Sequence, residues 1–217
     1  MELTRKQLLL IEEYLQKHKF NFIDLKDEIL DHIVSDIENF LIKNYTFEDA
    51  FAMVRIRWEK HFRETSSFYF GMYFSESKIV IKKALKIFKP FYFIYLTAYI
   101  LPVIILKLFP IQLNESIIGF ITSLLHIMAT IAIIHTLFLG LKTRFSKVKT
   151  TFSFVIKTQY LGTILLVLGV FLSDVFLKDG KVDALSTGFI CAGFTVTFIC
   201  NHFYKKHLEV VKKYKIA

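Results

Sequence analysis

The chain has 217 residues, 54% of them hydrophobic, and its 28 lysines and arginines exceed its 19 aspartates and glutamates to give a formal net charge of +9. This charge does not indicate nucleic-acid binding, because the bases gather at the ends of apolar runs rather than on one soluble face. No P-loop, GxGxxG, HExxH or GxSxG motif occurs, so the usual enzyme signatures are absent and the sequence favours a non-enzymatic protein.

The first 76 residues form a distinct acidic segment, with 14 of the 19 acids and only ten lysines and arginines. Apolar residues recur there at helical spacing in three stretches, each followed by polar residues. The three predicted buried stripes are Leu8, Ile11 and Leu15; Ile29, Ile33 and Ile37; and Phe47, Phe51, Val54 and Trp58. We predict a three-helix cytoplasmic domain over residues 1–65. A domain of this size is only marginally stable by itself, so we expect it to pack against the membrane or a partner.

Three residues have side chains suited to starting these helices. Thr4, with Gln7 three positions later, matches a capping box, Asp24 can cap the second helix, and the third helix is expected to open at Thr46. The sequence therefore predicts helix starts at these three positions.

The most distinctive motif is the second helix, which reads Asp27-Glu28-Ile29-Leu30-Asp31-His32-Ile33 and continues to Asp36, ahead of a third helix that opens Phe47-Glu48-Asp49-Ala50-Phe51. Residues 1–65 thereby resemble HAAS, the small helical signalling domain that bacteria place before membrane segments, and more closely a group of bacterial inner-membrane proteins with the same Asp-His-centred helix. The resemblance implies a regulatory or interaction role, sometimes linked to a transcriptional regulator. The glycine-containing turn of the HAAS pattern is replaced here by Asn44-Tyr45.

The polar face of the second helix is the main candidate site. Glu28 and His32 lie four residues apart and so share a face, which Asp27, Asp31 and Asp36 extend. Our first interpretation is that these five residues dock a protein partner. The alternatives are a metal site, formed by Glu28, Asp31, His32 and His61, which would make the protein a metal-dependent membrane enzyme, and a solvated face with ion pairs along the helix. We predict no catalytic residue and no cofactor.

Residues 66–89 have the composition of a membrane-surface connector. Five aromatic residues, which favour the headgroup level, lie between residues 68 and 74. From Lys78 onward, apolar residues alternate with lysines at helical spacing, as in an interfacial amphipathic helix.

Residues 90–204 contain four apolar runs, at about 91–109, 116–141, 158–177 and 184–204. Each has about the 20 residues that a helix needs to cross a hydrocarbon core of ~30 Å. The predicted fold is therefore all-α, with a three-helix cytoplasmic domain, an interfacial helix and a four-helix transmembrane bundle.

Lysines and arginines alternate between the two sides of this bundle. Lysines and arginines are concentrated before the first run, between the second and third runs and in the tail 205–217. Loops 110–115 and 178–183 carry no excess of lysines and arginines over acids. By the positive-inside rule both termini are cytoplasmic, in a bacterial inner membrane whose anionic inner leaflet attracts the lysines. We expect the first transmembrane helix to provide the targeting signal, because no signal peptide precedes the domain.

Polar residues inside the predicted spans are functional candidates by default. His126 and His135 lie nine residues apart, on opposite faces of the second span, whereas His135, Gln159, Asn201 and His202 fall near one membrane level. A transporter-like protein using these residues is our alternative function, and its four spans would have to homo-oligomerise to enclose a pathway. The simpler interpretation is hydrogen bonding between helices.

The remaining features of the spans indicate packing. Gly162 and Gly169 share a face, and Gly188 with Ala192 forms a small-xxx-small pair, so we predict close helix contacts there. Pro102 is expected to bend the first span. Asp174 is expected to be solvated at the external end of the third span, and Cys191 and Cys200 to serve as small packing residues.

Overall fold

The computed structural model describes residues 3–18 and 20–215. The helices are α1 (Arg5–Lys17), α2 (Ile23–Leu41), α3 (Phe47–Phe62), α4 (Lys78–Leu108), α5 (Glu115–Arg144), α6 (Thr151–Lys157), α7 (Tyr160–Phe171) and α8 (Ala184–Lys215). Strands β1 (Glu64–Ser66) and β2 (Ser75–Ser77) pair antiparallel around a short 3-10 turn at Phe68–Phe70. The all-α prediction is confirmed, apart from this small hairpin.

The chain divides into two compact units. Unit 1 comprises Met1–Lys86, Lys147–Phe154 and His207–Ala217. Unit 2 comprises Ile87–Ser146 and Val155–Lys206.

Helices α1, α2 and α3 enclose the core of unit 1. Ile11 of α1, Ile33 and Ile37 of α2 and Val54 of α3 are buried, as their spacing predicts. Trp58 is also buried, and its indole N–H donates to Asp36 Oδ2 at 3.0 Å, so its one polar atom has a partner inside the domain.

The predicted capping box at Thr4 and the predicted helix start at Thr46 are confirmed. Thr4 and Gln7 form the full capping box of α1, and Thr46 Oγ1 accepts from the backbone N–H of Asp49 at 3.2 Å at the start of α3. The prediction for Asp24 is wrong: α2 begins at Ile23, its N-cap is Phe22, and no side chain caps it. Asp24 lies two residues after that N-cap, and its carboxylate bonds elsewhere.

The turn between α2 and α3 places Asn44 at φ 64°. This left-handed conformation is one that glycine adopts freely and that asparagine tolerates better than most residues. The backbone N–H of Asn44 donates to the Leu41 carbonyl and that of Tyr45 to the Phe40 carbonyl, which closes the end of α2. Asn44 therefore takes the conformation for which a glycine turn is normally used.

The predicted surface connector is a hairpin followed by the start of α4. At the hairpin tip, Phe68, Met72 and Tyr73 are each at least 80% exposed, whereas Phe70 is buried and packs its ring on Phe154 at 5.3 Å. Helix α4 then runs without a break from Lys78 to Leu108, with Pro90 and Pro102 inside it. The predicted interfacial helix and the first span are thus one continuous helix.

Within the described residues, four helical segments are long and apolar enough to cross a membrane, at Lys78–Leu108, Glu115–Arg144, Thr151–Phe171 and Ala184–Tyr214. This confirms the predicted number of spans. The third differs from its predicted limits of 158–177, because it starts seven residues earlier and ends six residues earlier. Val175, in the apolar stretch that follows Phe171, is buried by protein, and its carbonyl accepts from the backbone N–H of Asp183 at 2.8 Å.

The third span is also interrupted between α6 and α7. The Thr158 hydroxyl donates to the Val155 carbonyl at 2.7 Å, and the Gln159 side-chain amide donates to the same carbonyl at 3.3 Å. These bonds satisfy a backbone group next to the break, as a helix in a membrane requires. Asp174 lies beyond the end of α7 and is exposed in unit 2.

Small residues let the helices of unit 2 approach closely, as predicted. A Cβ added at Gly162 would lie 2.7 Å from Val196 Cβ, and one added at Gly188 would lie 2.9 Å from the Tyr99 carbonyl oxygen. Ala192 is buried on the same helix as Gly188. Cys200 is buried and Cys191 half-buried, both as free thiols.

The two loops predicted to be external lie together in unit 2. The backbone N–H of Leu113 donates to the Gly180 carbonyl at 3.0 Å, and that of Val182 donates to the Ile111 carbonyl at 2.9 Å. Loops 110–115 and 178–183 are therefore on the same side of the bundle, as their charge content predicts.

Candidate functional site

The acidic face of α2 is largely exposed, but three of its five candidate residues have partners inside unit 1. Glu28 Oε2 pairs with Lys83 Nζ of α4 at 2.9 Å, and the Asp27 carboxylate faces the Tyr214 hydroxyl of α8. Asp36 accepts from Arg57 at 3.3 Å and from Trp58. Among the described residues, Asp31 and His32 form no hydrogen bond or salt bridge, and both are exposed.

The pair between Glu28 and Lys83 is exposed and therefore easily exchanged. The Lys83 ammonium holds the pKa of the Glu28 carboxyl below its usual value through a hydrogen bond, so this carboxylate is charged at neutral pH. Its side chain is 51% exposed and that of Lys83 is 38% exposed. Pairs of this kind contribute about 0–1 kcal/mol because water competes for both partners.

The proposed metal ligands are not brought together. Within the described residues, no group of three or more His, Cys, Asp and Glu side chains is placed to hold a metal ion. The rings of His61 and Trp58 are tilted against each other with centroids 5.3 Å apart, and the pKa of His61 is lowered by burial and by the charges of Lys60, Lys78 and Lys82. A divalent cation at His61 would meet the same three positive charges.

A buried polar cluster lies at the other end of the acidic face, where α2 begins. We call it the polar junction; it consists of Asp24, Thr150, Thr151, Ser153 and His207. Both carboxylate oxygens of Asp24 accept from the backbone N–H of Thr151, at 3.0 and 3.1 Å. Asp24 thus places negative charge at the start of α6, where the helix dipole favours an anion.

Thr150 links two further parts of the junction. Its hydroxyl accepts from the backbone N–H of Ser153 at 3.0 Å, and the backbone N–H of Thr150 donates to Ser153 Oγ at 3.1 Å, which together make a reciprocal cap on α6. The same hydroxyl lies 2.9 Å from Nδ1 of the buried His207 in α8. Hydrogen bonds therefore connect the loop before α6 both to α2 and to the last turns of α8.

Sequence reasoning missed this junction. The Thr150-Thr151-Phe152-Ser153 stretch carries a helix-start signal that could have been found. Its partners could not have been found, because Asp24 and Thr151 are 127 positions apart and Thr150 and His207 are 57 apart.

Replacing Asp24 by alanine is expected to loosen the start of α6. The change removes both bonds to the Thr151 N–H, and the loss of such a cap costs about 0.5–2 kcal/mol. Hydrogen exchange of the full-length protein in nanodiscs should show faster exchange at Thr151, by roughly 2- to 30-fold for that range. Asp31→Ala is the matched control, since Asp31 lies on the same helix without a hydrogen bond; equal exchange in both variants would contradict the assignment.

The polar residues within the spans do not meet in one pocket. His135 is exposed on the surface of unit 2, and Gln159 is buried but bonds to Val155 and Thr158 of its own segment. His202 packs its ring against Phe91 at 4.9 Å, and His126 packs against Phe171 at 5.1 Å. Among the described residues, no hydrogen bond joins His135, Gln159, Asn201 and His202 to one another.

Comparison with known proteins gives no match, since no family model, no curated protein and no solved structure is similar to this chain. The resemblance of residues 1–65 to HAAS domains therefore stays a prediction. What the geometry establishes is a helical chain with four segments able to span a membrane.

Proposed function

We propose that this is a non-enzymatic, multi-pass protein of the bacterial inner membrane whose cytoplasmic helical domain binds a protein partner and transmits that binding to the spans. The observation that carries the proposal is the composition of unit 1. It joins the N-terminal domain to residues 147–154, which form the loop before the third span and the first turn of that span, and to the end of α8. These are the segments whose lysines and arginines indicate the cytoplasmic side.

The acidic face of α2 suggests how binding would be transmitted. Its Glu28 pairs with Lys83 at the start of α4, and its Asp27 faces Tyr214 near the end of α8. A basic partner that competes for these carboxylates would release both contacts. Because exposed ion pairs are weak, a partner of ordinary affinity is sufficient to displace Lys83.

Asp31 and His32 are the part of this face available to a partner without any displacement, since both are exposed. The partner surface should therefore carry lysine or arginine opposite Asp31. The resemblance to HAAS supports the same conclusion, because it implies an interaction role for the domain.

The test is affinity capture by the full-length protein from gently solubilised native membranes, with quantitative mass spectrometry. Asp31→Lys reverses one charge on the proposed face, and Glu13→Lys makes the same change on the exposed side of α1. We expect a stoichiometric partner with wild type and Glu13→Lys, and at least a tenfold loss with Asp31→Lys, because like charges at an interface cost several kcal/mol.

Equal capture of the partner by the Asp31→Lys and Glu13→Lys variants would show that the docking surface does not lie on α2. Absence of any stoichiometric partner would contradict the proposal and favour the transporter-like alternative. The interruption between α6 and α7 is the feature that supports that alternative, since transporters often build binding sites at broken helices.

A further inference from the structure

Unit 1 contains an open cleft of about 670 Å³ beside the polar junction. It lies between the end of α1, the start of α2 and the loop that leads to α6. Its lining comprises Leu15, Gln16, Phe20, Asn21, Ile23, Lys26, Lys147, Val148 and Lys149. The volume is within the range of small-molecule sites, which is roughly 300–1,000 Å³.

The charge of this cleft is opposite to that of the domain around it. Residues 1–76 have an excess of four acids, yet all three ionisable residues that line the cleft are lysines. Within the described part of the chain, no carboxylate forms an ion pair with Lys26, Lys147 or Lys149. Three ammonium groups that share one cleft repel one another, and an anion bound among them would reverse that repulsion.

Asp24, next to Ile23 in the lining, forms no ion pair with a lysine of the cleft, and both of its oxygens accept from the N–H of Thr151. The same bond helps to hold the lysines in place. The backbone N–H of Ile23 donates to the Lys149 carbonyl at 3.1 Å, next to a bridge between Phe22 and Lys149. The loop that carries Lys147 and Lys149 is thus fastened to the helix that carries Lys26.

The other lining residues suit a ligand that is anionic at one end. The amide groups of Gln16 and Asn21 can donate hydrogen bonds beside the lysines. Leu15 and Phe20 add an apolar wall. Ammonium groups bind phosphate well as point charges, and neighbouring amides add direction to the contact.

We propose that this cleft binds a phosphate-bearing anion, with Lys26, Lys147 and Lys149 as its cationic ligands. Either a phospholipid headgroup or a small soluble phosphate has this chemistry. A bound anion would join the loop before α6 to α2 through all three lysines. The site is independent of the partner surface at Asp31, so either can fail without the other.

Lysine footprinting of the full-length wild-type protein tests the site. The protein is placed in phosphatidylcholine nanodiscs, titrated with glycerol 3-phosphate, and treated with an amine-acylating reagent before mass spectrometry. A parallel sample uses nanodiscs that contain phosphatidylglycerol. At ten times the dissociation constant, labelling of the three lysines should fall about tenfold, because only the unbound fraction reacts. The exposed Lys6 and Lys43 should keep their labelling rates.

The two samples distinguish the source of the anion. Protection by glycerol 3-phosphate in neutral nanodiscs supports a soluble ligand, whereas protection only with phosphatidylglycerol supports a lipid headgroup. Equal protection of Lys6 and Lys43, or no protection in either sample, would overturn the proposal.

A variant pair provides a second measurement. Replacing Lys26, Lys147 and Lys149 together by glutamine should weaken binding of radiolabelled glycerol 3-phosphate, or of a spin-labelled phosphatidylglycerol, by about tenfold or more. The control variant replaces Lys6, Lys43 and Lys60 by glutamine and so removes the same charge elsewhere on unit 1. If the two triple variants bind the ligand equally weakly, net charge alone explains the effect, and the proposal of a defined site is overturned.

Discussion

Ile33→Ala is expected to abolish cooperative folding of the N-terminal helical domain while leaving the spans helical. Ile33 is fully buried at the centre of α2, among Ile29, Ile37 and the facing side chains of α1 and α3. Truncating a buried isoleucine costs about 2–5 kcal/mol, since it removes apolar contacts and leaves a cavity. A core of this size has little stability to lose, because small domains bury a smaller share of their surface.

The single tryptophan makes this measurement specific. Trp58 lies in the core of the domain and bonds to Asp36, so its fluorescence reports on unit 1 during thermal unfolding of the full-length protein. Ile56→Ala is the matched control, because Ile56 lies on α3 and is 78% exposed. We expect the control to change stability by no more than about 0.5 kcal/mol. Similar transitions in the two variants would show that the α2 core does not hold the domain together.

This contrast between Ile33 and Ile56 also shows what could be predicted from the sequence. Helical periodicity relates residues three or four positions apart, and capping relates residues three apart, so Ile29, Ile33, Thr4 and Thr46 were all correctly placed. Each of these assignments depends on local spacing alone. The number of spans follows for the same reason, because a membrane-crossing helix needs only a long apolar run.

The errors arise where the structure depends on distant residues. Asp24 looks like a cap for the helix that follows it, but the N–H it bonds belongs to Thr151, 127 positions later. The third span was placed too late because an apolar residue such as Val175 is equally suited to lipid and to a protein interior. Helical spacing shows that Glu28 and His32 share a face of α2, yet no local pattern predicts Lys83 as the partner of Glu28 or Trp58 as the partner of Asp36.

Gly162→Ala is expected to destabilise unit 2, although the same substitution ordinarily favours a helix. The added methyl group would lie 2.7 Å from Val196 Cβ, closer than side-chain carbons approach one another, so α7 and α8 would have to separate. Overpacking of this kind costs about 1–3 kcal/mol. That cost exceeds the helix-propensity gain of about 1 kcal/mol that alanine offers over glycine.

Gly140→Ala separates these two effects. Gly140 also lies inside a spanning helix, α5, but nothing is within 4 Å of the position its Cβ would occupy. Only the helix-propensity term applies there, so this variant should be as stable as wild type or more stable. The two substitutions are chemically identical, yet only Gly162→Ala should lower the stability of the bundle.

The buried thiol of Cys200 in α8 can report the difference. In detergent micelles titrated with dodecyl sulfate, its reaction with a thiol reagent should begin at a lower denaturant fraction in Gly162→Ala than in wild type, and no earlier in Gly140→Ala. If both variants react like wild type, α7 and α8 can adjust to an extra methyl group, and close approach at Gly162 does not determine the stability of the bundle. If both react earlier, the effect belongs to alanine in these helices rather than to the contact with Val196.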